Sequence, residues 1–323
     1  MRKTETKIII FLLFLSPVLG ELLSGSTPPL EFINPIGLIF LVLLYGCGTL
    51  LIREAKVRWN LQWSIIFLAV AYGILEEGTM IQSFFNISHA DLGILSGYGM
   101  YFGIQWPWTI MLILFHGTMS TLIPITIAEL LWPEYRNRPL LKKRGLIFSF
   151  TGLIFVVTFW MIFIIGKKLD PAYTNYSPDN LLIISSILII FLFIWLAYKY
   201  RDNRISKNKF SLCSPFAFGI AGLMFQAANL FLPNVLAETR IPGIITILTQ
   251  IIFATVALLF IVYQIYNQNI TKRHIVSLIF GSILFWIFLT PINEFVNGVF
   301  GIFVFGIISL ILLIIWSRTV LKN

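Results

Sequence analysis

The chain has 323 residues, of which 58% are hydrophobic and 11% charged, with a mean hydropathy of +0.89 and a formal net charge of +9. Soluble domains are about half apolar and a quarter charged, so an ordinary soluble fold is excluded. The basic residues are scattered through short loops rather than gathered on one face, which excludes a nucleic-acid partner.

Apolar runs long enough for a hydrocarbon core of about 30 Å recur along nearly the whole length and leave no room for a separate soluble domain. The chain therefore reads as one all-α, multi-pass domain over residues 1–323 in a cell membrane, with the lipid bilayer as its first partner. Membrane helices are predicted at roughly 8–23, 36–52, 61–84, 105–131, 145–166, 181–198, 215–233, 242–263, 275–290 and 294–316. MRKTETK followed by IIIFLLFLSPVLG also fits a signal-like segment, so residues 1–23 read either as a first membrane helix or as a cleavable piece.

Residues 24–35, SGSTPPLEFINP, form a proline-rich outer segment that is not expected to be regular helix, because Pro28 and Pro29 lack donors and push the preceding backbone toward extended forms. The segment reads as a connection or as a lid. Trp106 and Trp108 around Pro107 read as an aromatic anchor at the outer surface. The sequons at Asn86 and Asn175 fall in outer loops. Cys47 and Cys213 sit in or beside apolar runs, without a disulfide framework or a zinc-type CxxC spacing.

Loops on the cytoplasmic side should hold the excess of Lys and Arg. Of the 23 basic residues, only Lys167, Lys168 and Arg240 fall on the other side of the ten-helix alternation. Both termini are therefore expected to be cytoplasmic. No internal repeat is evident, which weakens a transporter built from inverted halves.

Glu76 and Glu77 stand side by side in AYGILEEGTMIQSFF, where a charged acid at the centre of a membrane helix costs roughly 2.5–3.5 kcal/mol. They are therefore expected to face a cavity. Adjacent helical residues project about 100° apart, so the two acids can flank one cavity without aiming at the same atom. Burial and mutual repulsion favour one protonated and one ionised acid.

If their helix continues to Phe84 and Phe85, Glu76 lies about 14 Å below its outer end, and His116 lies about 15 Å along the next, antiparallel helix from Trp106. The three are candidates for a shared catalytic site. Ser120 is one turn from His116, and Gln226, Asn229, Gln250, Asn293 and Asn297 fall in the outer half of later helices. Of these, Ser120, Gln226, Asn229, Asn293 and Asn297 are candidate substrate contacts; polar residues of this kind also serve simply to bond neighbouring helices. Asn293 and Asn297 are expected where the last helix begins. Glu21 and Glu31 are candidates for the mouth of such a chamber, and Glu129 is expected at the inner interface.

Paired acids beside a histidine can activate water, one group accepting its proton while the others orient it or stabilise developing charge. A zinc site wants three protein ligands plus water. His116 with one glutamate supplies two, so a metal is possible but not indicated, and the cofactor stays open. GxSxG, HExxH, P-loop and dinucleotide fingerprints are absent.

Glu76 and Glu77 in one membrane helix and His116 in the next resemble the CAAX-type prenyl-protein endopeptidases and their bacterial relatives. Their paired-glutamate motif, EExxxR, and neighbouring histidines activate water inside the membrane to cleave a peptide bond. The resemblance spans about residues 70–120. The family's arginine position is Ile81 here, and NEFVN, with Asn293 and Asn297, is similar to the later HxxxN motif with Asn in place of His. His274 falls on the cytoplasmic side. The resemblance implies an intramembrane hydrolase of membrane-embedded peptides, with Glu76 or Glu77 as base and His116 as orienting or oxyanion-stabilising group. The residues also fit a proton- or cation-coupled transporter of a small solute, or a membrane protein without catalysis.

Overall fold

The computed structural model describes residues 3–322; Arg2, counted above among the basic residues, lies outside them. The chain is a helical multi-pass membrane protein. Among the described residues, eight helices are long and apolar enough to cross a membrane. We label these α2 (Pro35–Arg58), α4 (Trp106–Leu131), α5 (Lys143–Ile165), α6 (Asn180–Lys199), α7 (Pro215–Glu238), α8 (Gly243–Ile265), α9 (Lys272–Phe295) and α10 (Ile302–Lys322). Two more helices run among them: α1, Lys3–Pro17 with a π-helical turn Val18–Leu22, and α3, Ile65–Gly73 with a π-helical turn Ile74–Met80. They fall outside the set of eight because α1 carries Lys3, Glu5, Lys7 and Glu21 and α3 is short.

Several boundaries differ from expectation. Helix α3 stops at Met80 rather than at Phe84 or Phe85, because Gln82 takes a left-handed backbone with φ of 62°. Helix α9 runs on to Phe295, so Asn293 lies in its last turn and Asn297 in the connection to α10. The proline-rich outer segment holds a single helical turn, Pro29–Phe32: Pro28 is extended, and Pro29 takes the first helical position, where a missing donor is harmless.

The connecting loops sort to two ends. Arg58 donates to the Leu141 carbonyl at 2.5 Å, Trp63 to Asn203 at 2.8 Å, and Gln268 N to Asn208 at 3.0 Å, joining the loops rich in basic residues. At the opposite end, Asn293 donates to Ser24 at 3.1 Å, Asn86 to Ala172 at 2.9 Å, and Tyr98 to Ile241 at 2.6 Å. Helix α4 is the axis of the bundle. Its apolar window is 67% buried, against 17–22% for α5, α6, α7, α8 and α10, whose outer faces carry bare Ile, Leu and Phe as lipid requires.

Lipid tails are as apolar as leucine, so helices associate here through close packing and hydrogen bonds rather than through exclusion of water. Ser16 shows the second device. Its hydroxyl meets the Tyr45 carbonyl at 3.1 Å, the Thr49 hydroxyl at 2.8 Å and the Ser120 carbonyl at 2.5 Å, joining α1, α2 and α4 at one point. The Ser120 carbonyl is available because the residue four positions on is Pro124, which has no N–H to give it; Thr49 donates to it as well, at 2.7 Å. Helix α9 solves the same problem at Pro291, where Thr290 donates to the Ile287 carbonyl at 2.8 Å.

Glycines supply the close packing. A methyl group on Gly281 would lie 1.9 Å from the Gly219 carbonyl oxygen, and one on Gly222 would lie 2.1 Å from the Leu278 carbonyl oxygen. Both clashes are with backbone, so α7 and α9 would have to separate. Gly281→Ala is therefore expected to destabilise the protein by about 1–3 kcal/mol or more, read as a lower midpoint of SDS unfolding, whereas Gly117→Ala, whose methyl group would make only ordinary contacts at 3.7 Å, should cost less.

Candidate functional site

Four helices meet below the loop 82–105. Each has a π-helical turn where it meets the others: Val18–Leu22 on α1, Val42–Gly46 on α2, Ile74–Met80 on α3 and His116–Leu122 on α4. The wide turns are visible as bonds five residues apart, Leu23 N to Val18 O at 2.9 Å and Ile81 N to Glu76 O at 2.8 Å. A π turn inserts a residue and so rotates the following side chains by about 100° relative to an unbroken helix. Glu21, Tyr45, Glu76, Glu77, His116 and Ser120 all lie on these turns. Isolated π turns are found frequently at functional sites.

The centre is the His116 ring. Glu76 Oε2 stands 3.1 Å from Nδ1 and Glu77 Oε1 stands 3.2 Å from Nε2, so neighbouring acids reach opposite edges of one imidazole. All three are buried, with 0% of Glu76, 7% of Glu77 and 3% of His116 exposed. Although α3 ends early, the loop 82–105 closes over them, so the acids do not reach interfacial water.

Each group is held from outside. The Tyr45 hydroxyl makes short bonds to both Glu76 Oε1 and Glu21 Oε1, and Thr27 donates to Glu21 Oε2 at 2.7 Å. Ser83 donates to Glu77 Oε2 in another short bond and receives one from Trp108 Nε1 at 2.9 Å. Ser120 Oγ lies 3.1 Å from His116 Nδ1. Gly20 makes room for the assembly, since a methyl group there would fall 2.5 Å from Ser120 Oγ and 2.8 Å from the Tyr45 ring. Glu76 Oε2 lies near Nδ1 but off the line of any donated hydrogen bond, and is a buried acceptor without a hydrogen-bond partner. One ligand atom each from Glu76, Glu77 and His116 fall within 4.8 Å of one another.

The candidates chosen from sequence divide sharply. Glu76, Glu77, His116 and Ser120 meet, and Glu21 joins them through Tyr45. The others bond neighbouring helices or connections: Gln226 donates to Thr118 at 3.3 Å and receives from Trp286 at 3.2 Å, Asn229 donates to the Met111 carbonyl at 3.0 Å, and Gln250 to the Pro107 carbonyl at 3.0 Å. Asn293 holds Ser24 of the outer segment, and Asn297 bonds Asn293 at 3.1 Å. Glu31 lies on the Pro29–Phe32 turn, away from the site, and His274 closes the first turn of α9 with Thr271. Trp108 is a correction: it is only 7% exposed and points inward onto Ser83, because Pro107 starts α4 and turns the next side chain into the bundle. Tyr45 and Ser83 were not singled out in the sequence, and Trp108 only as a surface anchor, since a tyrosine, a serine and a tryptophan are common in membrane proteins.

The family model described as an uncharacterized membrane protein family matches residues 10–320 of the chain. The chain belongs to that family. No curated protein and no solved structure matches it. The matched span includes all four site-bearing helices, and the family description accords with the apolar surfaces described above.

A second buried charge cluster provides the contrast. At the basic end, Glu54 accepts from Arg53 at 2.8 Å, Arg58 at 3.0 Å and the Leu140 N–H at 2.7 Å, while Glu129 takes Lys56 at 2.5 Å and lies 3.5 Å from Arg136. Here each carboxylate faces strong cations, and Glu129 is tied to α2 through Lys56. This cluster is complete and structural. Glu54→Gln would leave Arg53, 3% exposed, without its counter-charge, and is expected to cost about 3–5 kcal/mol; a smaller drop in the SDS unfolding midpoint than that of Gly281→Ala would contradict this assignment.

Proposed function

We propose that the chain is an intramembrane hydrolase that activates water at Glu76, Glu77 and His116 to cleave membrane-embedded peptides. The observation that carries this reading is the single imidazole held between two carboxylates at 3.1 and 3.2 Å inside the bundle. What the chemistry requires is a base, an orienting partner and shelter from bulk solvent, in contact at about 3 Å directly or through one water. Glu77 is the base. Of the two acids it keeps the residual 7% exposure, while Glu76 is wholly covered and bonded to Tyr45.

In this scheme a water beside Glu77 gives its proton to the carboxylate as its oxygen attacks the peptide carbonyl. His116 fixes the water and donates to the oxygen on which negative charge develops, with Glu76 and Ser120 setting the ring's orientation. The proton held by Glu77 then passes to the departing amine, which balances the step. Ser83 and Trp108 hold Glu77 from behind. The likeness to the CAAX-type endopeptidases supports the same roles for the same residue types. The chain departs from that pattern at two places: Ile81 stands at the arginine position, and Asn293 and Asn297 bond the outer segment and each other rather than the site, where Tyr45 bonds Glu76.

Glu77→Gln and His116→Ala, purified in nanodiscs, are each expected to lower cleavage of membrane-anchored peptides about 10²- to 10⁴-fold without changing the unfolding midpoint by a comparable amount. Cleavage that persists in both variants would defeat the proposal. Ion-coupled uptake in vesicles that is lost in the same variants, in the absence of any cleavage, would point to transport instead.

A further inference from the structure

The groups at the centre of the site are fixed by outer hydrogen bonds. Each of the three central groups uses one heteroatom on a neighbour: Glu76 Oε1 on Tyr45, Glu77 Oε2 on Ser83, and His116 Nδ1 on Ser120. The remaining atoms face one another: Glu77 Oε1 lies 3.2 Å from His116 Nε2, and Glu76 Oε2 lies 3.1 Å from Nδ1 without a hydrogen bond. This is how protein metal ligands are normally held, with outer hydrogen bonds fixing both tautomer and orientation.

Charge points the same way. Three carboxyl groups, Glu21, Glu76 and Glu77, gather around one imidazole, and among the described residues no Lys or Arg forms an ion pair with any of them. Buried charges are tolerated when paired or when bound to a metal. At the basic end of the same molecule, Arg53, Arg58 and Lys56 provide the pairing. At the central site Glu76 and Glu77 face only the His116 imidazole, and Glu76 Oε2, on a residue with 0% exposure, makes no hydrogen bond.

We propose that Glu76, Glu77 and His116 bind one divalent transition-metal ion, of the Zn²⁺ or Mn²⁺ type. Two ionised glutamates and a neutral imidazole around a dication make an uncharged unit, which suits a hydrocarbon environment. Metal–ligand bonds of about 2.0–2.2 Å span ligands up to roughly 4.4 Å apart, close to the 4.8 Å within which one ligand atom from each residue already lies; binding one ion then requires a carboxylate to turn from its edge of the imidazole to the other. Calcium, which takes six to eight oxygens, is poorly served by two carboxylates and a nitrogen. Three protein ligands leave a fourth position for water, the composition of catalytic rather than structural zinc sites. The inference deepens the hydrolase reading and rests on it for the role of that water as nucleophile; with an ion bound, the ion rather than His116 would stabilise the developing charge.

The test uses the full chain in nanodiscs, stripped with EDTA and titrated with Zn²⁺ by calorimetry, with bound metal counted by mass spectrometry and Co²⁺ substitution followed by visible absorption. The expected result is saturable binding of one ion per chain and a Co²⁺ absorption band displaced by Zn²⁺. Glu76→Gln and His116→Ala should weaken binding at least 10-fold, and Tyr45→Phe, which removes the hydroxyl shared by Glu76 and Glu21 but no ligand atom, about 10-fold. Thr255→Ala, whose hydroxyl bonds its own helix at an exposed position, should leave affinity unchanged. A wild-type chain that takes up neither Zn²⁺ nor Co²⁺ saturably overturns the site, and so does binding that survives all three site variants. Peptide cleavage that continues undiminished in EDTA would remove the metal while leaving the hydrolase; metal binding without cleavage would do the reverse.

Discussion

Hydrocarbon offers no hydrogen bonds, so an ionisable group carried into a membrane helix must be answered by another group of the protein. That constraint governs this chain. Two glutamates side by side on α3 could not face lipid, and their answer comes from α4, whose imidazole presents a nitrogen to each. Around that contact the phenol of Tyr45 joins Glu76 to Glu21, and Ser83 with Trp108 closes over Glu77. The N-terminal helix is thereby drawn into the centre, with Leu12 and Ser16 fully covered.

The same constraint shapes the backbone. On an unbroken helix adjacent side chains diverge by about 100°, and four straight helices would aim few of these residues at one point. The π turns on α1, α2, α3 and α4 change the register where the residues must converge. They also loosen the carbonyl ladder, and the carbonyl that Pro124 leaves without a helical donor is taken up by Ser16 and Thr49. On α2 and α4 the wide turns also carry carbonyls, of Tyr45 and Ser120, that Ser16 and Thr49 of neighbouring helices satisfy.

The two charge clusters show how differently one fold can use buried acids. At the basic end, arginine and lysine heads neutralise Glu54 and Glu129 and tie loops together. In the central cluster, acids outnumber the imidazole that faces them, and one carboxylate oxygen has no hydrogen-bond donor. A structural cluster closes its charge account, whereas a site for water, a proton or an ion leaves part of it open.

Much of the architecture was legible without coordinates, because hydropathy is local and nearly additive along the chain. The runs of Ile, Leu and Phe marked the membrane segments, the placement of Lys and Arg sorted the loops, and the penalty for buried acids singled out Glu76, Glu77 and His116. Side-chain direction was not legible. That Gln226 and Asn229 serve helix packing, that Trp108 turns inward, that α3 ends at Met80, and that Tyr45 bridges Glu21 to Glu76 depend on π-turn register and on which helix lies beside which. Those are relations between residues far apart in the chain, with Ser16 meeting Ser120 and Ser24 meeting Asn293. The amino-acid sequence by itself determined what must be buried and at what depth, since lipid penalises each residue separately; only the tertiary structure decided which groups answer one another, since hydrogen bonds have direction and need both partners in place.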